Sequence, residues 1–241
     1  MHRFYLPQGM DGAGHAVLDA EESKHAGKVL RLSAGDRVEC FDGRGSAWLC
    51  ALGFSGTTAF VDRLEDLPSR ESDTRITLYQ GMPKSDKLEL IIQKITELGA
   101  VRVVPVNMTY SVAKAEGADA KKKCERWQRI AYEAAKQCGR ALVPEVALPM
   151  SFAQALTDMR ARKLMLMPYE VPVGGGLNAL PVGAKDIGIL IGPEGGISPE
   201  EVEKAKAAGA VPVTLGSRIL RTETAAIATV AMVMLRFGDI G

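Results

Sequence analysis

The 241-residue sequence has few histidines and cysteines, the side chains that most often carry redox, zinc or near-neutral acid–base chemistry. Its three histidines, His2, His15 and His25, all lie near the start. Chemistry in the rest of the chain must therefore do without an imidazole as base or metal ligand. The four cysteines, Cys40, Cys50, Cys124 and Cys138, form no C-x-x-C pair, which excludes zinc and thioredoxin-like readings. Neither charge sign dominates: 30 Lys and Arg stand against 29 Asp and Glu, so any basic surface must be local. The longest nearly unbroken apolar run, Ala225 to Leu235 with Thr229 inside it, falls short of the ~20 residues that a membrane span needs. The apolar stretch Phe4 to Leu6 is too short for a signal peptide. The expectation is a cytoplasmic protein with free thiols and neither a membrane nor a metal partner. A P-loop, a strand–G-x-G-x-x-G–helix unit, a G-x-S-x-G elbow and an H-E-x-x-H helix are also missing. These absences set aside P-loop, dinucleotide-binding, α/β-hydrolase and zinc-protease chemistry.

What is present is an ordinary globular composition, 46% apolar and 24% charged, in a chain long enough for one or two domains. The texture changes near residue 70. Before it, turn signals at Gly12, Gly14, Gly35-Asp36, Asp42-Gly43, Gly45, Gly53 and Gly56 separate short β-rich runs at 37–41, 47–52 and 58–61. Such a pattern predicts a small barrel or sandwich over 1–70, interrupted by one helix at 21–30. Eight basic residues there face ten acidic ones. The polar segment 67–73, with Pro68, reads as a linker.

From residue 74 to 241 strands alternate with helices. Strands are predicted at 76–80, 101–106, 164–167, 187–191 and 211–215, and the apolar runs 164–167 and 187–191, which show no alternation, are expected to be buried on both faces. Leu88, Ile91, Ile92, Ile95 and Leu98 recur at helical spacing ahead of Gly99. Helices are also predicted at 121–138, carrying Trp127, and at 222–237. Ser198-Pro199-Glu200-Glu201 is a capping box with proline at the first helical position, and its helix runs to about Ala208. The pattern is that of a parallel α/β domain.

The densest chemical signal follows two of these strands. Gly192-Pro193-Glu194-Gly195-Gly196 is a tight loop that exposes backbone, and Gly216 to Thr224 is a second glycine-led loop holding Arg218 and Arg221. Ligands in open α/β sheets bind outside the carboxyl ends of the strands. On spacing alone, two plain strand–helix connections with solvated arginines fit equally well.

LIGPEGGISPEE followed by VTLGSRILRTETA resembles the knotted C-terminal region of the SPOUT methyltransferases. More narrowly, it resembles the 16S rRNA uracil-N3 methyltransferases, the small-subunit methyltransferase E family. The likeness runs along nearly the whole chain. Arg3-Phe4, His25, Val29-Leu30-Arg31 and Gly35-Asp36 resemble that family's PUA-like RNA-binding barrel. Lys84, Lys87-Leu88-Glu89, Gln93-Lys94 and Thr96-Glu97-Leu98-Gly99 resemble its first helix, and Glu133-Ala134-Ala135, Gln137 and Gly139-Arg140 a further segment. The resemblance implies a PUA-like β-barrel ahead of a SPOUT α/β domain, and a C-terminal trefoil knot at about 164–225. It also implies a homodimer that uses S-adenosyl-L-methionine to methylate N3 of a uridine in 16S rRNA of the small ribosomal subunit.

It further implies a cofactor site made by Met167, Leu190, Gly192, Gly196, Leu215, Gly216, Ile219 and Leu220, with core packing as the other role open to Leu190 and Leu215. Arg221 would be the catalytic residue, stabilising the anion formed when N3 loses its proton. A phosphate contact, or pairing with Glu194 or Glu223, are its other roles. Those two carboxylates are the candidates for the base. RNA contacts are expected at Arg31, Lys84, Arg140 and Arg221. The segment 114–140 adds eight basic to four acidic residues, as a phosphate-tracking run or a solvated helix face. Two departures stand out: Tyr110-Ser111 where the family often has Arg-Ser, making Tyr110 a candidate to stack a base, and Lys136 where the family commonly has Glu. Trp48 and Trp127 read as packing residues, and Gly174-Gly175-Gly176 as a surface loop or lid. Other readings are a SPOUT enzyme acting on ribose or a purine, a non-catalytic RNA-binding assembly factor, and a small-molecule hydrolase.

Overall fold

The computed structural model describes residues 1–170, 176, 177, 180 and 183–241. Two compact units emerge, one of Met1–Glu71 with Ala135–Val143, the other of Ser72–Ala134 with Pro144–Gly241. The segment 135–143, read from sequence as part of the second domain, thus belongs to the strand-rich unit. Of the triple-glycine loop, Gly174 and Gly175 lie outside the described residues.

The first unit holds β1 (Arg3–Tyr5), β2 (His15–Val17), α1 (Ala20–Lys24), a π-helical turn (His25–Val29), β3 (Arg37–Phe41), β4 (Ala47–Ser55) and β5 (Thr58–Asp66). The strands form one sheet in the order β1-β3-β4-β5-β2, parallel only between β1 and β3. Alternation explains the strands: Val38 and Cys40 are buried while Arg37 is exposed, and Ala59 and Val61 are buried beside exposed Thr58. The single helix expected at 21–30 is split. Asp19 caps α1 by accepting from Glu22 N–H, and the chain then widens into the π turn, where Leu30 N–H reaches His25 O at 2.9 Å. Gly27 lies inside that turn, where its lack of a side chain weakens the α-helix. Trp48 packs against this unit's core, as expected.

The second unit contains β6 (Arg75–Gly81), α2 (Lys87–Glu97), β7 (Arg102–Asn107), α3 (Gly117–Cys138, whose last turn belongs to the first unit), β8 (Glu145–Val146), β9 (Met150–Ser151) and α4 (Phe152–Met159). It continues with β10 (Leu164–Pro168), β11 (Asp186–Ile191), α5 (Pro199–Ala207), β12 (Val211–Val213) and α6 (Thr222–Phe237). The sheet order is β12-β10-β11-β6-β7-β8, with β9 also on β7, and every pairing is parallel. β6 is therefore flanked by the next strand in sequence on one side and by β11 on the other, so the order switches direction there.

Residues of several strands and helices, among them Tyr79, Val104, Leu190 and Val202, form a shared core. α5 starts at its predicted cap, where Ser198 and Glu201 exchange hydrogen bonds as a capping box. Gly99, at φ +93°, ends α2. Trp127 is buried, in line with its packing role. β12 is shorter than expected: Thr214 Oγ1 accepts from Gly216 N–H at 3.2 Å, and this side-chain turn draws Leu215 out of the strand. Among the described residues no helix is long and apolar enough to cross a membrane.

Candidate functional site

Where β10, β11 and β12 end, their following loops converge on a cavity of about 530 Å³. This volume lies within the range of small-molecule sites, and the place is the one that an open parallel sheet favours. Pro168, Tyr169 and Glu170 line it from the end of β10, Ile191 to Ile197 from the end of β11, and Leu215, Gly216, Arg218 to Thr222 and Ala225 after β12. Lys87 from α2 closes one side.

The two glycine loops are built for this cavity in different ways. A Cβ on Gly192 would stand 2.8 Å from Ile197 Cγ1 and 2.9 Å from the Gly196 carbonyl carbon, so the loop closes on itself only with hydrogen at that position. Gly196 and Gly216 have open space around them but sit at φ +77° and +107°, backbone that L side chains rarely adopt. Apolar Ile219, 82% exposed, and half-buried Leu220 and Leu215 furnish walls. Bare amides and apolar walls of this size suit a planar ring with a short polar tail. Among the described residues no cluster of three His, Cys, Asp or Glu is placed to hold a metal.

The structure thus brings together Gly192, Gly196, Leu215, Gly216, Ile219, Leu220 and Arg221. It does not bring Met167 and Leu190 to the cavity: both are buried in the sheet core, at 0% and 1% exposure. Their strand neighbours Pro168 and Ile191 line the cavity instead. In strands buried on both faces the apolar run carries no alternation, so sequence does not say which residue turns which way. Tyr169 and Lys87 were missed as site residues. The strand-end rule points to Tyr169, which directly follows β10; nothing local marks Lys87.

Arg221 precedes α6 as its N-cap, with its own side chain uninvolved in capping. It is exposed, and among the described residues its guanidinium makes no hydrogen bond or ion pair. The two carboxylates considered as its partners are engaged elsewhere. Lys87 Nζ lies 3.0 Å from Glu194 Oε1 and 3.2 Å from Glu223 Oε2. Hydrogen bonding to Glu194 pushes the Lys87 pKa up. Burial would raise that of Glu194, but its own N–H, the Lys84 N–H at 3.0 Å and the Lys87 ammonium outweigh it and hold the carboxyl below its usual range. Glu194 is thereby a weak proton acceptor. Beneath the loop, Gln80 Nε2 donates to Thr222 Oγ1 at 2.9 Å, and Thr222 Oγ1 donates to Gly192 O at 2.6 Å.

The residues expected at RNA divide. Arg31 is exposed at φ +55°, and Lys84 is exposed beside Glu194. Arg140 is corrected: it is 6% exposed, and its Nε and Nη2 lie 3.0 and 2.6 Å from Glu71 Oε2. The side chain holds residue 71 to the segment after α3, because Glu71 Oε1 also accepts from the N–H groups of Ala141 and Leu142. The unusual Lys136 has a partner too: its ammonium lies 2.6 Å from Glu22 Oε1 and over the Phe4 ring, neutralising a buried carboxylate. Part of the basic run is similarly engaged, Lys123 with Asp119 and Arg126 with Glu89. Tyr110 is 46% exposed and packs its Cβ against Gly195 of the cavity loop.

Residues 70–234 match the RNA methyltransferase domain family, and residues 18–56 match the RNA methyltransferase PUA domain. The chain is 36% identical over 242 residues to the ribosomal RNA small subunit methyltransferase E of Bacillus subtilis, covering 93% of each chain. It is 33% identical to the protein of that name from Mycobacterium bovis, across 92% of this chain and 87% of the relative. The crystal structure of a ribosomal RNA small subunit methyltransferase E from Neisseria gonorrhoeae, bound to S-adenosyl methionine, superposes over 100% of both chains with a TM-score of 0.89 and 32% identity. Sequence and fold agree from end to end, and the chain belongs to the ribosomal RNA small subunit methyltransferase E family.

Proposed function

We propose that this chain methylates N3 of a uridine in 16S rRNA, working in the cytoplasm as a homodimer on the small ribosomal subunit. In this reading the first unit is a PUA-like barrel that grips RNA, and the segment about 164–225 is threaded as a trefoil knot. The observation that carries the reading is the cavity itself: both glycine loops line it, and an exposed Arg221 without an ion-pair partner among the described residues stands in it. S-adenosylmethionine, when bound, supplies an electrophilic methyl group. Gly192, Gly196 and Gly216 would let backbone approach it closely, and Leu215, Ile219 and Leu220 would supply the apolar contacts to its ring.

Uracil N3 becomes nucleophilic once its proton leaves, and the negative charge then spreads onto O2 and O4. Arg221 is placed to hold that charge with its guanidinium, whose planar donors match the two carbonyl-type oxygens. Two measurements test the proposal. Nucleoside mass analysis of 16S rRNA from cells with and without the gene should show 3-methyluridine only in the former. Calorimetry should detect S-adenosylmethionine binding to the purified chain. An unchanged nucleoside profile refutes the reaction, and absent binding marks a non-catalytic assembly factor.

A further inference from the structure

We propose that Gln80 is a positioning residue that fixes Arg221 relative to the Gly192–Gly196 loop. This rests on reading the cavity as the methyl-transfer site. Gln80 is the penultimate residue of β6 and is 0% exposed. Its Nε2 donates to Gly81 O at 2.9 Å and to Thr222 Oγ1 at 2.9 Å, and lies 3.4 Å from Gly192 O. Thr222 has one hydroxyl proton and gives it to Gly192 O at 2.6 Å, so it receives the proton of Gln80. One amide therefore ties together the end of β6, the loop after β11 and the first residue of α6. Its partners Gly192 and Thr222 are 112 and 142 residues away in sequence. Arg221 immediately precedes Thr222, and its extended backbone, φ −63° and ψ 152°, is set by where that first turn begins.

The same amide carries a cost. Gln80 Oε1 is buried and has no hydrogen-bond partner among the described residues. A buried acceptor left unmet is destabilising and offsets part of what the two donated hydrogen bonds contribute, so an apolar side chain of equal length should leave the stability of the chain little changed. What such a side chain lacks is direction. The amide hydrogen on Thr222 Oγ1 fixes the start of α6 and, through the Thr222 hydroxyl, orients the Gly192 carbonyl, and small misplacements of a catalytic group cost heavily in rate. The geometry points to a residue kept for placement rather than for stability.

The test uses the full chain, small subunits from cells lacking the gene, and the substitutions Gln80→Met, Thr222→Val and Thr222→Ser. Gln80→Met should lower kcat by about a hundredfold, with KM for the subunits and the melting temperature nearly unchanged. Thr222→Val should reproduce this loss, Thr222→Ser should restore most of the rate, and the Met/Val double variant should be no slower than either single one, since both break one chain of hydrogen bonds. Overturning results are a Gln80→Met variant with full kcat, a loss that follows the melting temperature, or additive losses in the double variant. If the unsubstituted chain fails to methylate, the reading of the cavity falls and this proposal with it; if the unsubstituted chain methylates and the variants match its rate, this proposal alone falls.

Discussion

The Lys87 ammonium stands 3.0 Å from Glu194 Oε1, which joins α2 to the glycine loop after β11. Its second partner, Glu223 Oε2 at 3.2 Å, lies in the first turn of α6. One cation thus joins the loop after β11 to the first turn of α6. Lys87→Met should loosen both and lower S-adenosylmethionine affinity by roughly tenfold, the order expected for one charge-assisted contact, as read by calorimetry. An unchanged affinity would show that the glycine loops hold their shape without it.

The same pair sets a pH dependence. The Glu194 pKa is lowered in the fold, so its contribution to stability is present above the ordinary 4.5 and is lost as pH falls through the lower folded value. The Lys87 pKa is raised, so its contribution is present below 10.5 and is lost as pH climbs through the higher folded value. The melting-temperature gap between the unsubstituted chain and Glu194→Gln should therefore narrow on acidification below 4.5 and stay open near neutrality. A gap that widens in acid contradicts the depressed carboxylate.

Arg221→Ala isolates charge from scaffold. The Arg221 carbonyl accepts from Ala225 N–H at 2.8 Å and survives the change, while no side-chain cap is lost. Methylation should fall by about 10²–10³ in kcat, with cofactor affinity nearly constant. Equal loss of both quantities would place the guanidinium in the cofactor site instead.

Much of this was legible from the residues. Helix α6 and the capping box of α5 are marked by unambiguous apolar length and by Ser198 with Glu201 three residues on. Helix α4 carries the same kind of mark, Ser151 with Gln154, but its eight residues offered too little periodicity to be noticed. The convergence of the loops after β11 and β12 follows from the strand-end rule once both are parallel. The side chains of Met167 and Leu190 lie in the core rather than at the cavity, which the residues do not reveal because a strand covered on both faces has no polar side to mark its register. Arg140 was misread for a different reason: burial of an arginine depends on a partner, and Glu71 lies far from it in sequence.

The glycines of the first loop should fail differently. Gly192→Ala forces a Cβ onto Ile197 and onto Gly196 backbone, so the loop itself must move, and cofactor affinity should drop by at least about tenfold. Gly196→Ala meets no atom within 4 Å and suffers only from φ +77°, at about 1–2 kcal/mol. Gly196→Asn should be milder, because asparagine tolerates that backbone region. Calorimetry and thermal melts on the three variants separate a closed loop from a strained one; an alanine at 196 no worse than asparagine would remove the backbone argument.

Arg31 sets stability against binding. It is a non-glycine residue at φ +55°, next after Leu30, the residue that caps the π-helical turn, with its side chain exposed. Left-handed backbone costs an L residue about 1–2 kcal/mol, and no hydrogen bond or ion pair of the guanidinium within the described residues offsets it. Glycine accepts this conformation freely. Arg31→Gly should therefore raise the stability of the chain by about 1 kcal/mol, after allowing for the greater freedom of glycine in the unfolded state. If Arg31 contacts a phosphate of the RNA, the same change should weaken RNA binding and reduce the slope of log affinity against log salt by about one. Stabilisation with an unaltered salt slope would leave the strain relieved and the RNA contact disproved.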